Sequence, residues 1–288
     1  MSASRPTPPL SLAALTVLEL SPVQMVDCAA QAGYAHVGLR LLPATPTEST
    51  WPIVGDTPMI RDVIGRLAGT GMQVLDIEIL RLKPDTVVRD YLPVLETGAR
   101  LGARHVLIAG NDPDRLRLAA NFAALAELAH PLGLSLAIEF MPWCDVATLT
   151  DAADVIARAG APNAGILVDA IHFDRARHVP ADLRGMDPAL FPYMQLCDAP
   201  AERPTDAETL LYQARAARMM PGDGGLDLVG LLSALPPGRP IALEVPMLAL
   251  AQTVPALERA QRLRMRTLEL LQKMDARALH GVPQGSEA

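Results

Sequence analysis

At 288 residues, half of them hydrophobic, the chain is long enough to bury one large core, and its formal net charge of −7 with 3% aromatic residues argues against a nucleic-acid partner, which favours a basic face and rings for stacking. Three cysteines, Cys28, Cys144 and Cys197, lie far apart with no CxxC pair, so neither a disulfide framework nor a zinc knuckle is indicated, and a reducing cytoplasm is the expected setting. No apolar run reaches the length of about 18 residues that spans a bilayer, and the proline-rich start lacks the apolar centre of a signal peptide.

Residues 1–9 read as a loose tail. A first strand is expected over 12–18, ending near Glu19, and Ser21-Pro22 is placed to open a helix that Gly33 closes. A second strand covers 36–41. Residues 43–58 form a Pro/Thr-rich loop carrying Trp51, long enough to arch over a barrel mouth. A helix over 62–69, a strand over 72–79 with Asp76 and Glu78, and a helix over 85–101 follow. The fourth strand, 105–109, leads to a helix over 114–132 that Gly133 ends. Leu136-Ala137-Ile138-Glu139 is the fifth strand. A helix over 148–159 feeds the sixth strand, which runs into Asp169. Residues 172–188 read as irregular, 191–197 as the seventh strand, 207–218 as a helical insertion, 226–235 as a helix, 241–245 as the eighth strand and 254–274 as the closing helix.

Short apolar strands alternating with amphipathic helices predict a parallel sheet, and eight such units in this length predict closure into a single-domain (β/α)8 TIM barrel over residues 10–275, with a C-terminal tail at 276–288. The competing architecture is an open doubly wound sheet, but no GxGxxG follows the first strand.

Four late strands end on oxygen-bearing side chains: Glu139, Asp169, Gln195 and Glu244. A strand covered on both faces is apolar throughout, so an acid at its tip costs desolvation unless it is paired or metal-bound. In a barrel these tips converge on one face. Crowded carboxylates need a counter-charge, and four oxygen donors favour a hard divalent ion, Mn2+ or Mg2+ ahead of Zn2+ or Co2+. The plain alternative for each acid is a helix cap or an arginine partner. His172, just beyond Asp169, is placed to carry a proton or bind a hydroxyl. Asp198 is a candidate substrate contact or merely the start of a loop. Arg218, joined to Pro221-Gly222-Asp223-Gly224, is a candidate anion or hydroxyl clamp, and Trp143 with Phe140 is placed to wall a pocket.

These residues together resemble the xylose isomerase-like TIM-barrel superfamily, the sugar phosphate isomerase/epimerase group that also includes ketose 3-epimerases, inosose dehydratases, 3-dehydroshikimate dehydratases and endonuclease IV. The resemblance runs from about residue 12 to 272 and rests on Ile138-Glu139-Phe140, Val168-Asp169-Ala170-Ile171-His172, Gln195-Leu196-Cys197-Asp198, Pro221-Gly222-Asp223-Gly224 and Leu243-Glu244-Val245-Pro246. It implies a divalent metal held by Glu139, Asp169 and Glu244, with His172 and Arg218 near substrate. Gln195 stands where the family usually has histidine, and Arg40 where many members carry an acid. The resemblance implies a metal-dependent isomerase or epimerase that acts on a small polyhydroxylated carbonyl compound through an enediolate, Glu139 and Glu244 exchanging the proton on opposite faces. A dehydratase of a cyclic hydroxy-ketone is the alternative for the same site, and a non-catalytic barrel serving as a binding or partner subunit is the reading the Gln195 departure keeps open. No nucleic-acid or membrane partner is expected, and homo-oligomerisation stays open.

Overall fold

The structure, a computed structural model, describes residues 7–279. Eight parallel strands, β1 (Leu10–Leu12), β2 (His36–Arg40), β3 (Gln73–Leu82), β4 (His105–Gly110), β5 (Ser135–Glu139), β6 (Ala164–Asp169), β7 (Met194–Leu196) and β8 (Ile241–Leu243), pair in chain order and close into a barrel through β1 and β8. The helices are α1 (Pro22–Gln31), α2 (Pro58–Thr70), α3 (Leu92–Arg100), α4 (Arg115–Ala129), α5 (Leu149–Ala159), α6 (Ala170–Arg175), α7 (Ala207–Ala216), α8 (Leu228–Ala234), α9 (Leu248–Ala251) and α10 (Ala256–Leu279). Among the described residues, no helix is long and apolar enough to cross a membrane. The three cysteines are buried and unbridged.

Local chemistry sets the element ends. Ser21 and Gln24 form a capping box at the start of α1, with Pro22 in its first turn, and Thr148 with Asp151 does the same for α5. Gly160 ends α5 in the left-handed region at φ 60°, a conformation that costs glycine nothing.

Several boundaries depart from the sequence expectation. The first strand stops at Leu12, and residues 14–17 turn into a 3-10 helix. The Thr16 hydroxyl donates to the Leu243 carbonyl and accepts from the Val245 N–H, so this turn ties β1 to the end of β8. The stretch expected to be irregular opens with α6, a single short helix capped by Asp169. Strand β3 runs on to Leu82, past the expected end at Ile79. Of the expected tails, residues 1–6 and 280–288 lie outside the described residues; Pro9 accepts a hydrogen bond from the Ile241 N–H at 3.0 Å, and α10 continues to Leu279.

The core has two parts. The larger packs the outward strand residues, such as Leu136, Ile138, Ile166 and Val168, against the helices. The smaller fills the barrel itself with Leu75, Leu107, Ala137, Leu167, Tyr193 and Ala242. Side chains alternate along a strand. Glu139, Asp169, Gln195 and Glu244 each lie two residues beyond an interior residue, namely Ala137, Leu167, Tyr193 and Ala242. The same alternation that fills the barrel therefore aims these four side chains into its mouth.

The segment that carries Arg218 is fixed by Asp198. Asp198 and Met219 form an antiparallel bridge, and the Arg218 N–H donates to the Pro246 carbonyl. The buried Asp198 carboxylate accepts four backbone N–H bonds: Ala199 and Leu226 on one oxygen, Gly222 and Gly224 on the other, at 2.9–3.1 Å. A side chain at Gly224 would come within 2.4 Å of the Ala199 carbonyl oxygen. The expectation that Asp198 contacts substrate is thus corrected: its oxygens are consumed in folding the Pro221-Gly222-Asp223-Gly224 turn.

Two stability predictions follow from these contacts. Asp198→Ala leaves four amide donors without their acceptor and should cost about 3 kcal/mol or more, seen as a fall in Tm on the order of 5–10 °C by calorimetry. His105, stacked on Tyr193 with its Nδ1 2.6 Å from the Ser135 hydroxyl, is held down to about 4 by burial and, secondarily, by the nearby cations Arg104 and Arg239. A histidine depressed in the folded state binds protons preferentially when unfolded, so it withdraws stability as pH falls from about 6.5 toward 4. The loss should reach at most about 3 kcal/mol, and urea midpoints of wild type and His105→Gln should converge as pH drops through that window.

Candidate functional site

The mouth of the barrel holds a cavity of about 700 Å3, lined among others by Arg40, Glu78, Glu139, His172, Arg218 and Glu244. Glu139 ends β5 and Asp169 ends β6. Gln195 lies within β7, paired in register with Asp169, and Glu244 directly follows β8. All four are buried. The strand order places Glu139 and Glu244 at the two ends of a four-strand arc, with Asp169 and Gln195 between them.

Arg218 sits among these groups. One guanidinium nitrogen, Nη1, donates to Asp169 Oδ2 at 2.6 Å and to the Glu244 carbonyl at 3.0 Å. Nη2 is 3.0 Å from Glu244 Oε2, and Nε donates to the Ala214 carbonyl. The sequence placed this arginine over the pocket as a clamp on substrate; the structure has it bound by two of the acids. The guanidinium thus bridges two buried carboxylates with one contact to each, an arrangement held by geometry as much as by charge. Asp169 also caps α6 through the Ile171 N–H. Asp169 therefore satisfies both plain alternatives for a strand-end acid, and Glu244 satisfies one.

Glu139 satisfies neither. Its Oε1 is buried without a hydrogen-bond partner, 3.6 Å from His172 Nε2. The Gln195 amide donates to Glu244 Oε1 at 3.1 Å, which leaves Gln195 Oε1 buried and unpartnered as well. Glu139, Asp169 and His172 each offer one donor atom within 4.8 Å of the others. Two orphaned buried oxygens beside such a triad fit a divalent cation, which satisfies acceptor atoms that no local N–H reaches. His172 adds an imidazole to a donor set that the sequence reading treated as all oxygen, and this admits Zn2+ and Co2+ alongside Mn2+ and Mg2+.

The electrostatics match the geometry. Burial and the charges of Glu244 and Asp169 raise the Glu139 carboxyl well above its ordinary range. Burial likewise lifts Glu244, against the pull of Arg218, to about 8. Burial works against ionisation of Asp169 too, yet Arg218 and His172 hold it below the usual carboxylate value. Burial depresses His172 to about 4, so its imidazole is neutral at pH 7. Its ring packs edge-on against Trp143 at 4.9 Å, and the Trp143 indole N–H is itself buried without a partner.

Around this centre, Arg40 reaches Glu48 at 2.9 Å and Glu78 at 3.3 Å, tying the loop of residues 41–57 to β3. That loop contributes Thr45, Thr47 and Glu48 to the cavity, whereas Trp51, which marked it in the sequence, is not among the lining residues. The sequence reading missed Glu48, Arg81, Met141 and Arg215, all of which line the cavity. Only Arg81 had a usable signal, its place two residues beyond the interior Ile79 on a strand that continues.

The chain is similar to known proteins over most of its length. It is 28% identical to an inosose isomerase of Bacillus velezensis over 159 residues, 52% of this chain and 55% of that protein. It is 31% identical to a 3-dehydroshikimate dehydratase of Pseudomonas aeruginosa over 132 residues, 44% of this chain and 20% of that protein. The chain thus spans about half the length of the first relative and a fifth of the second. In fold it superposes on the crystal structure of the IolI protein, which holds a zinc atom, with a TM-score of 0.76 and 19% identity over 92% of this chain and 99% of that one. Residues 26–264 match the model of the xylose isomerase-like TIM barrel, and with its closed eight-strand barrel and clustered strand-tip acids the chain belongs to that family.

Proposed function

We propose that the chain is a divalent-metal-dependent isomerase or epimerase that removes a proton from the carbon beside the carbonyl of a sugar, a sugar phosphate or a related polyhydroxy ketone. One observation carries the reading. Glu139 and Glu244 are two buried carboxyl groups on one cavity, at opposite ends of the strand-tip arc, and both are raised toward the range where a carboxyl can take up and return a proton near neutral pH. Glu139, Asp169 and His172, whose donor atoms lie within 4.8 Å of one another, would hold the ion, with Gln195 and Glu244 as the further oxygen donors at the strand tips. Bound there, a divalent cation supplies Lewis-acid polarisation of a carbonyl oxygen.

The side chains divide the remaining work. One glutamate accepts the proton from one face of the substrate and the other returns it from the opposite face. Neutral His172 can donate to or accept from a substrate hydroxyl, since its two ring nitrogens serve different roles. Trp143 closes one wall. Arg218 orients Asp169 and Glu244 and keeps Asp169 ionised.

A dehydratase is the second reading. It is supported by the similarity to the 3-dehydroshikimate dehydratase and by the neutral imidazole of His172 at 3.6 Å from Glu139, a second proton carrier that loss of a β-hydroxyl requires. Both readings begin with the same proton abstraction.

Two measurements test the proposal. After dialysis against Mn2+ or Mg2+, elemental analysis should find close to one metal per wild-type chain and loss of it in Asp169→Asn and Glu244→Gln; folded wild type without metal would remove the metal-dependent reading. Metal-loaded protein should then exchange solvent deuterium into a member of a panel of ketoses and cyclic hydroxy-ketones, with Glu139→Gln slower by about 100-fold or more. Deuterated epimer or isomer supports the first reading, and a conjugated, ultraviolet-absorbing product the second. Metal-loaded protein that exchanges nothing across the panel supports the non-catalytic barrel.

A further inference from the structure

Helix α7 has 10 residues, of which Gln213 and Ala214 alone are buried. A helix of this length is marginal by itself, and so little buried surface does not fix its position. Directional polar contacts must do so, and each buried residue makes one. The Ala214 carbonyl accepts from Arg218 Nε at 2.7 Å, and the Gln213 side-chain oxygen accepts from Arg175 Nε at 2.9 Å.

Arg175 is the last residue of α6, and its side chain is almost wholly buried away from the residues that line the cavity. Its guanidinium ties three segments together: Nε reaches α7, Nη1 the adjacent Asp174, and Nη2 the Pro200 carbonyl beyond β7 at 2.7 Å. Asp174 is clasped in turn by Arg203, whose Nε and Nη2 donate at 3.0 and 2.8 Å. The planar fork of a guanidinium fixes the directions of all its bonds at once, so α7 is locked to α6.

These contacts close a ring. Asp169 caps α6 through the Ile171 N–H, α6 ends on Arg175, Arg175 holds Gln213, the next residue Ala214 holds Arg218 Nε, and Arg218 Nη1 returns to Asp169 at 2.6 Å. Asp198 places the backbone of Arg218, whereas the acceptor that aims its Nε comes from α7. A shift of α7 withdraws that acceptor and frees the guanidinium to turn away from Asp169 and Glu244.

We infer that Arg175 is a positioning residue for the site: through Gln213 and Ala214 it sets the guanidinium of Arg218, and with it the placement of Asp169 and Glu244. What that placement serves rests on the proposed metal-dependent chemistry. The plain alternative is that Arg175 only packs α6 and has no bearing on Arg218.

A double-mutant cycle tests it. Mn2+ affinity by calorimetric titration, and deuterium exchange into whichever panel member responds, are measured in Arg175→Met, Gln213→Leu, Arg218→Met and the two combinations with Arg218→Met. Gln213→Leu keeps the other contacts of Arg175 and reads the same link if Arg175→Met does not fold. Each of these two single variants should slow exchange by about tenfold, as loss of groups that orient metal ligands does, and should shift Mn2+ affinity in the direction that Arg218→Met shifts it. Added to Arg218→Met, either should change both quantities by less than about twofold. Gln213→Glu, which keeps an acceptor opposite Arg175 Nε, should recover most of what Gln213→Leu loses. Losses that multiply in the combinations, no recovery in Gln213→Glu, or folded Gln213→Leu with both quantities unchanged overturn the inference. Wild type that binds Mn2+ without exchange refutes the catalytic reading alone, and affinity then decides this one. If wild type binds no metal, the crystal structure of Gln213→Leu decides: Arg218 released from Asp169 or Glu244 supports the inference, and unchanged contacts refute it.

Discussion

The Arg218 guanidinium, clasped between Asp169 and Glu244, is the interaction on which the mouth of the barrel depends. Asp76, Glu78, Glu139, Asp169 and Glu244 are all buried in or beside one cavity, and among the described residues Arg40 and Arg218 are the buried cations placed against them. Carboxylates so close together cannot all ionise without further positive charge. The site relieves the excess in two visible ways. Arg218 keeps Asp169 charged, whereas burial together with the charges of Glu78 and Glu244 raises the Asp76 carboxyl well above its usual range, and the Tyr193 hydroxyl donates to it at 3.3 Å. What these leave unmet is Glu139, whose oxygen has neither proton donor nor cation. That remaining deficit is the physical case for a divalent ion.

The position of Arg218 is itself derived from a chain of backbone contacts. It comes from no strand; it is delivered by the bridge between Asp198 and Met219, and that bridge holds because the Asp198 carboxylate gathers the amides of the glycine turn. A single buried acid outside the cavity therefore sets the geometry of the cation inside it. Gly224 is required by space, the Ala199 carbonyl and the Asp198 carboxylate occupying the volume a side chain there would need, and Gly222 by its φ of +89°.

How much was legible in the sequence follows from the range of each interaction. The barrel and the four strand-tip residues were readable because period-two alternation is local: Ala137 then Glu139, or Leu167 then Asp169, specifies a face before any tertiary contact exists. The first strand misled because Leu12 through Leu18 is apolar but for Thr16, and apolar composition alone does not separate a strand from a turn that buries its side chains; the Thr16 contacts with Leu243 and Val245 decide it from more than two hundred residues away. Asp198 and Arg218 were both recognised as candidates; Arg218 does reach the pocket, though bound by Asp169 and Glu244, while Asp198 holds the loop. Which of two polar residues faces the cavity and which holds a loop depends on contacts among β7, α7 and the segment after β8, and no periodicity encodes that. Arg81 was hidden by a strand end placed three residues early.

The charges of the cavity are layered by depth, and this bears on how a ligand must enter. The acids sit at the strand tips, where Arg218 and a metal ion can neutralise them, while of the two lining arginines without a carboxylate partner among the described residues Arg81 is half-buried and Arg215 exposed. An anionic group driven toward the tips would meet Glu139 and Glu244, with little water to screen the repulsion. A carbonyl or hydroxyl carries no such penalty and supplies the oxygen that a cation there would seek. The field of the site thus favours neutral oxygens over anionic ones at the strand tips before any specific hydrogen bond forms. The neutral end of a ligand so oriented would meet Glu139 and His172, which have a carboxylate oxygen and a ring nitrogen uncommitted to any other residue.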